Sequence, residues 1–229
     1  MVKVYAHRGA SVEFPENTLA AFGRALELGV EGIELDVHLS ADGVPMVIHD
    51  ATVDRTTNGS GAVMEMTHAE LQALDAGNGE HIPTLGEVLD LVGNRLHVDI
   101  EVKANAAGEA VLREVNGRDL RWLISSFDWD VLRYVRSQRS DVELWPLTHG
   151  ASDDAIAVAK EIGAPALAIS HKGMDADIAA FIIEQGLGFW PWTVNDPALA
   201  RTLVEWGAIG ICTDDPAVIQ EHLRVATTA

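Results

Sequence analysis

The chain has 229 residues, 48% of them hydrophobic and 22% charged, a composition that excludes a disordered class and supplies a sizeable core. Sixteen Lys and Arg against 35 Asp and Glu give a formal charge of −19. So acidic a chain is repelled by nucleic-acid backbones and by anionic membrane surfaces, so no nucleic-acid partner is expected.

In chain order, an apolar strand at 2–6 leads to helical spacing over 18–28, with Leu19, Phe22 and Leu26 on one face. A second strand at 32–37 meets an Asp42-Gly43 turn and returns over 44–48, the pattern of a hairpin. The rhythm then fades through 50–82 into Thr, Gly, Asn and Ala, too long for a plain loop. That stretch reads as a small insertion after the second strand, with a short helix near 68–74. Helix 84–92 and strand 96–102 follow, then strands at 122–126 and 144–147. The rest alternates: helix 152–162, strand 166–169, helix 175–184, strand 188–194, helix 196–206, strand 209–213 and helix 216–223.

Most of the strands are apolar throughout, as in strands covered on both faces. Ser152, Asp196 and either Asp214 or Asp215 can cap helix starts, and Pro197 and Pro216 suit a first turn. Gly29, Gly93, Gly163, Gly186 and Gly207 fall where helices should stop. Eight strands alternating with helices at this length favour a closed α/β TIM (β/α)8 barrel over an open doubly wound sheet. Residues 1–229 are expected to form one barrel domain carrying the 50–82 insertion.

The one cysteine, Cys212, rules out an intramolecular disulfide and a cysteine-based zinc site. The first residues lack a leader-like apolar run and nothing reaches 18 consecutive apolar residues, so the expected location is cytoplasmic, with no integral membrane association. Asn58-Gly59-Ser60 is then a chance match to the glycosylation pattern. Walker, dinucleotide-binding, zincin and nucleophile-elbow motifs are all absent.

Polar clusters sit instead at or near strand ends: His7-Arg8-Gly9, Glu34-Leu35-Asp36, His49-Asp50 and Glu101-Val102-Lys103. In a βα barrel these ends form the functional face. Residues two apart on a strand point the same way, so Glu34 pairs with Asp36, and Glu101 with Lys103. Converging Glu34, Asp36 and Glu101 would repel one another, and a divalent cation relieves that. Oxygen ligands favour Mg2+ or Ca2+ over zinc. Arg8 and Lys103 add positive charge suited to a phosphoryl group. His7 and His49 are candidates for proton transfer. Together these residues point to metal-assisted hydrolysis of a phosphate ester. Each has a plainer alternative: a structural histidine, a solvated carboxylate, a rim charge, or in Gly9 a tight turn.

In their order and spacing these blocks resemble the glycerophosphodiester phosphodiesterase family. His7-Arg8-Gly9, Pro15-Glu16-Asn17-Thr18, Glu34-x-Asp36-Val37, Val47-x-His49-Asp50, Arg55-Thr56-Thr57, Pro83-Thr84-Leu85 and Glu101-Val102-Lys103 carry the resemblance. Trp192-Thr193-Val194-Asn195 and Gly210-x-x-Thr213-Asp214-x-Pro216 complete it. It implies a barrel, one divalent cation on Glu34, Asp36 and Glu101, and His7 and His49 as the acid/base pair. It also implies phosphate on Arg8 and Lys103, Trp192 beside a glycerol moiety, and cleavage of a small-molecule glycerophosphodiester to glycerol 3-phosphate and an alcohol. Core packing is the other reading of Trp192. Glu16 and Asn17 read as structural, Thr56 and Asn58 as solvated loop, and Asp99 as a supporting carboxylate in the lumen. Rival functions are a phosphodiesterase for lysophospholipids, a non-catalytic glycerophosphodiester-binding protein and a sugar-phosphate isomerase. Head group, choice of metal and oligomeric state, a homo-oligomer included, stay open.

Overall fold

The structure is a computed structural model that describes residues 2–225. Strand β1 (Lys3–His7) leads through a loop to α1 (Leu19–Leu28), and β2 (Gly32–Leu39) folds back as β3 (Pro45–Val47). Helices α2 (His68–Gln72) and α3 (Leu85–Val92) precede β4 (His97–Val102). Then come α4 (Asn105–Val115), β5 (Arg121–Ser126), α5 (Trp129–Gln138), β6 (Glu143–Thr148), α6 (Asp153–Glu161) and β7 (Ala166–Ser170). Helix α7 (Ala176–Glu184), β8 (Gly188–Trp192), α8 (Pro197–Glu205), β9 (Gly210–Thr213) and α9 (Pro216–Val225) end the sequence of elements.

Eight parallel strands run in the order β8-β7-β6-β5-β4-β2-β1-β9, and β3 pairs antiparallel with β2. The two ends of that order meet. Ile209 N–H donates to the Phe189 carbonyl at 3.1 Å, and Val194 N–H to Cys212 at 2.9 Å. These bonds close the expected TIM barrel; the open sheet is excluded.

The strands' two-residue period separates two cores. Val4, Ala6, Ile33, Leu35, Val98, Ile100, Leu167, Ile169 and Ile211 pack outward with the helices. The residues between them form a second cluster of Tyr5, Leu123, Trp145, Trp190 and Cys212. Trp190 stacks edge-on to Tyr5 at 4.5 Å and lies 4.9 Å from Trp145. Gly210 makes room for it: a Cβ there would meet Trp190 ring carbons at 2.1 Å. The lumen is therefore plugged by aromatic rings below the strands' C-terminal ends.

Helix starts follow the expected chemistry. Thr18, Ser152 and Asp196 accept from the amides of Ala21, Ala155 and Ala198. Thr67 and Thr84 form full capping boxes with Glu70 and Glu87. Helices α4 and α5 are outside the expected elements, although each has an apolar stripe: Ala107, Val111 and Val115 in α4, and Val131, Leu132 and Val135 in α5.

The segment after β3 has a small core of its own, built on Met46, Ile48, Val53, Val63, Leu71 and Ile82. A bridge between Thr52 and Ala62 shapes it, and α2 ends at Gln72, short of residue 74. Among the described residues, no helix is long and apolar enough to cross a membrane.

Candidate functional site

The strand register brings the polar clusters together. His7 lies opposite Glu34 across β1 and β2, and Asp36 lies opposite Glu101 across β2 and β4. One layer deeper, Glu34 is level with Asp99. Glu34, Asp36, Asp99 and Glu101 are all buried. A ligand oxygen from each of Glu34, Asp36 and Glu101 lies within 4.8 Å of the others, and among the described residues these three form the one such group.

The electrostatics of this cluster are asymmetric. Lys103 Nζ reaches Asp36 Oδ1 at 2.8 Å and Glu101 Oε1 at 2.5 Å, and Arg8 Nε reaches Asp36 Oδ2 at 3.2 Å. Burial opposes ionisation of Asp36, but Lys103 and Arg8 outweigh it and hold its carboxyl below the ordinary range. Glu34 goes the other way: burial, then Asp36 and Glu101, push it well up. Burial and Asp36 raise Glu101 to about 7 despite Lys103. Burial raises Asp99 to about 7 even though it accepts a 2.6 Å bond from Ser125 Oγ. Two cations thus compensate only part of the packed negative charge. Asp36 Oδ1 is also buried without a hydrogen bond, since its Lys103 contact is an ion pair and not an aligned bond. Three oxygen donors within 4.8 Å of one another and residual negative charge fit a hard divalent cation.

Both histidines are held from behind by a carboxylate. His7 Nδ1–H donates to Asp214 Oδ1 at 2.6 Å, and its Nε2 lies 3.9 Å from Glu34. Asp214 also accepts from Ser11 Oγ at 3.2 Å and Asn195 Nδ2 at 2.7 Å. Burial raises its carboxyl, but His7, Asn195 and Ser11 together leave it below the ordinary value. His49 Nδ1–H donates to Asp50 Oδ1 at 2.6 Å. Burial lowers the His49 imidazole, against the opposing pull of Asp36 and Asp50. In each case the carboxylate fixes the ring's tautomer and leaves Nε2 for other work.

Arg8 adopts a positive φ of 59°, which turns the chain at the end of β1. Its amide donates to the Glu34 carbonyl and, at 3.2 Å, to Glu34 Oε2. Gly9 follows at φ 82°, where a Cβ would meet Ala21 at 2.6 Å, so Gly9 is required by close approach to α1. Trp192 ends β8. It packs against the lumen cluster and meets Phe127 edge-on at 5.6 Å and His149 at 5.5 Å. Its indole Nε1 is buried without a hydrogen bond.

One cleft of about 530 Å³ is lined by His7, Arg8, Glu34, His49, Glu101, Lys103 and Trp192, with Asp36 beneath. Every residue expected at the site is therefore brought to one place. Asn17 also belongs to it, since its Nδ2 donates to Asp36 at 2.8 Å while Thr18 alone caps α1. Glu16 bridges Arg8 and Arg55. Asn58 instead holds the insertion together through Asp75.

The sequence assigns no site role to Asp214, Asp50, Asn195, Arg55 or Phe127, although the first four stand in the blocks that carry the family resemblance. Asp214 is also one of two candidate caps for α9. Asp215 does that job, accepting from Val218 N–H at 3.1 Å. The adjacency of His49 and Asp50 is a readable signal for one pair. The His7–Asp214 pair spans 207 residues, and only the motif blocks that carry the resemblance point to it.

A βα barrel with carboxylates, cations and two carboxylate-backed histidines gathered at the C-terminal strand ends is built as an enzyme. The model of the glycerophosphoryl diester phosphodiesterase family matches residues 7–218, and the chain belongs to that family. A glycerophosphodiester phosphodiesterase of Caldanaerobacter subterraneus subsp. tengcongensis is 37% identical over 96% of this chain and 97% of its own. One from Bacillus subtilis is 30% identical over 92% and 83%. Among solved structures, an Oleispira antarctica phosphodiesterase in complex with the product sn-glycerol-3-phosphate superposes with a TM-score of 0.93. It is 28% identical, over 97% of this chain and 96% of that one.

Proposed function

We propose that this chain hydrolyses a small glycerophosphodiester to glycerol 3-phosphate and an alcohol. The observation that carries the reading is the meeting of three carboxylates, two cations and two carboxylate-backed histidines in one cleft. The product bound to the Oleispira relative supports the same substrate class. In this reading Glu34, Asp36 and Glu101 hold one divalent cation, Mg2+ or Ca2+. When bound, that ion supplies positive charge against the charge developing on the phosphoryl oxygens.

The chain's own groups do the rest. Arg8 and Lys103 orient and neutralise the phosphate, and Trp192 offers an apolar wall to the glycerol carbons. One histidine takes the proton of the nucleophile and the other returns one to the leaving alkoxide. The family resemblance allows that nucleophile to be the substrate's own glycerol hydroxyl, which displaces the alcohol to give a cyclic phosphate that water then opens to glycerol 3-phosphate. His49 is assigned as the acid. Asp50 and the arriving phosphate anion both favour its protonated form. If His49→Ala lost activity equally on substrates with good and poor leaving groups, the acid assignment would be wrong.

The deciding assay is release of glycerol 3-phosphate from a panel of head groups, with EDTA and with each metal restored. Turnover that disappears with EDTA and returns with Mg2+ or Ca2+ is expected. No turnover with either metal on any glycerophosphodiester overturns the proposal.

One observation favours a second substrate class. Val12 and Phe14 in the loop after β1, Met64 in the insertion and Phe127 after β5 are exposed apolar side chains on connections leaving C-terminal strand ends. Such a rim suits the acyl chain of a lysophospholipid. Comparing lysophosphatidylcholine with glycerophosphocholine in the same assay separates the two.

A further inference from the structure

Two candidate groups that line the cleft, His49 and Arg8, are joined by an unbroken chain of charged contacts. His49 Nδ1–H donates to Asp50 Oδ1 at 2.6 Å. Asp50 in turn accepts both prongs of Arg55, Nε on Oδ2 at 2.7 Å and NH2 on Oδ1 at 2.9 Å. The remaining face of the same guanidinium grips Glu16, NH1 on Oε2 at 2.8 Å and NH2 on Oε1 at 2.9 Å. Glu16 Oε1 then accepts from Arg8 NH1 at 2.8 Å.

We infer that Arg55 is a positioning residue: it locks the His49 ring and the Arg8 guanidinium to one another at the cleft. It does so through two planar forks, which only an arginine provides. The inference rests on the roles proposed above for His49 and Arg8.

Three features support it over a surface role. Arg55 comes from the segment after β3 and Glu16 from the loop between β1 and α1, so the bridge joins two separate connections at the cleft. Arg55 is about half exposed, at 47%, so its ion pairs add little to global stability. Its two forks still fix four side chains in orientation. Arg8 moreover sits at positive φ, where its backbone sets the direction in which the side chain leaves β1 and Glu16 must hold the far end. Without Arg55, Asp50 loses two of its three hydrogen-bonded contacts and Glu16 two of three. His49 keeps Asp50, and Arg8 keeps Glu16 and Asp36, but nothing then ties Asp50 to Glu16 and fixes the two ends relative to one another.

The test uses the full chain with Mg2+ or Ca2+ and glycerophosphocholine, comparing wild type, Arg55→Gln, Arg55→Lys, Asp50→Asn and the Arg55→Gln/Asp50→Asn double variant. We expect Arg55→Gln to lower kcat by about 10- to 100-fold, the usual scale for a misplaced supporting group, with its urea midpoint close to wild type. Arg55→Lys should not recover it, since an ammonium cannot form either fork. The double variant should be no worse than Asp50→Asn alone, because the contacts act as one unit. A second readout needs no turnover: the downfield Nδ1–H proton of His49, assigned by its absence in His49→Ala, should broaden or vanish in Arg55→Gln. Wild-type kcat in Arg55→Gln, full recovery by lysine, additive losses, or an unchanged Nδ1–H signal would each overturn the inference. An inactive wild type with an altered Nδ1–H signal in Arg55→Gln would sink the proposed function and leave the positioning role standing.

Discussion

Lowering the pH should remove the contribution that His97, at the start of β4, makes to the stability of this fold. The imidazole Nδ1 is in a very close hydrogen bond with the Tyr5 hydroxyl. Burial, then Asp99 and Glu31, keep Tyr5 protonated well above its ordinary range, so Tyr5 is the donor and Nδ1 must be the unprotonated acceptor. Burial, then Arg121 and Lys3, push the His97 pKa down from 6.5 to about 4. An unfolded His97 takes up its proton as pH falls through about 6.5, while the folded one resists until about 4. Stability from this group is therefore intact above 6.5 and drains away between 6.5 and 4. A shift of that size corresponds to about 3 kcal/mol.

Total stability will not report it cleanly. Asp99 and Glu101, both raised to about 7, titrate in the opposite sense and regain stability as pH falls through 7. The measurement is a difference. Urea unfolding followed by tryptophan fluorescence, in EDTA, compares wild type with His97→Gln from pH 7.5 to 4. The stability advantage of wild type over the variant should shrink by about 3 kcal/mol across that range. A difference that stays flat would mean His97 takes up its proton at the same pH folded and unfolded, and would refute the reasoning.

Other outcomes are equally specific. Gly210→Ala puts a methyl into the Trp190 ring and should cost about 1–3 kcal/mol by overpacking, read as a lower urea midpoint with altered near-UV circular dichroism. Asp214→Asn removes the anchor of His7 and should cut kcat by about 100-fold or more while the urea midpoint holds. Asp36→Asn leaves Lys103 to Glu101 and Arg8 to Glu16 and removes one of the three grouped carboxylates. It should abolish Mg2+ or Ca2+ binding by calorimetry while Glu101, relieved of Asp36, titrates lower. In wild type, saturating Mg2+ or Ca2+ should raise Tm in a concentration-dependent way, and EDTA should reverse the rise.

The barrel was legible because its strands are short apolar runs separated by glycine-terminated helices, a pattern set by burial on both faces. Strand periodicity also exposed Glu34-x-Asp36 and Glu101-x-Lys103, since charge inside an apolar strand is costly without a purpose. Helices α4 and α5 carry the same kind of apolar stripe as the others, at Ala107, Val111 and Val115 and at Val131, Leu132 and Val135, so their spacing is legible too; in α4 the glycine at 108 weakens the signal. The backing of the two histidines is less evenly legible. Asp50 is next to His49 in sequence, whereas Asp214 reaches His7 only through the pairing of β9 with β1. Asp214 and Asp215 offer the same chemistry to α9, and only the tertiary fold decides which one caps it.

The place of β9 has a consequence for the order of events during synthesis. Glu34, Asp36, Glu101, Arg8 and Lys103 all lie within the first half of the chain, so a ribosome-bound fragment ending near residue 200 already encodes the three carboxylates and both cations of the cleft. It lacks β9 and Asp214, and with them the carboxylate that orients His7. A nascent chain at that stage has no anchor for its first histidine, and under the proposed function it would gain a complete proton-transfer pair only when β9 slots in between β1 and β8.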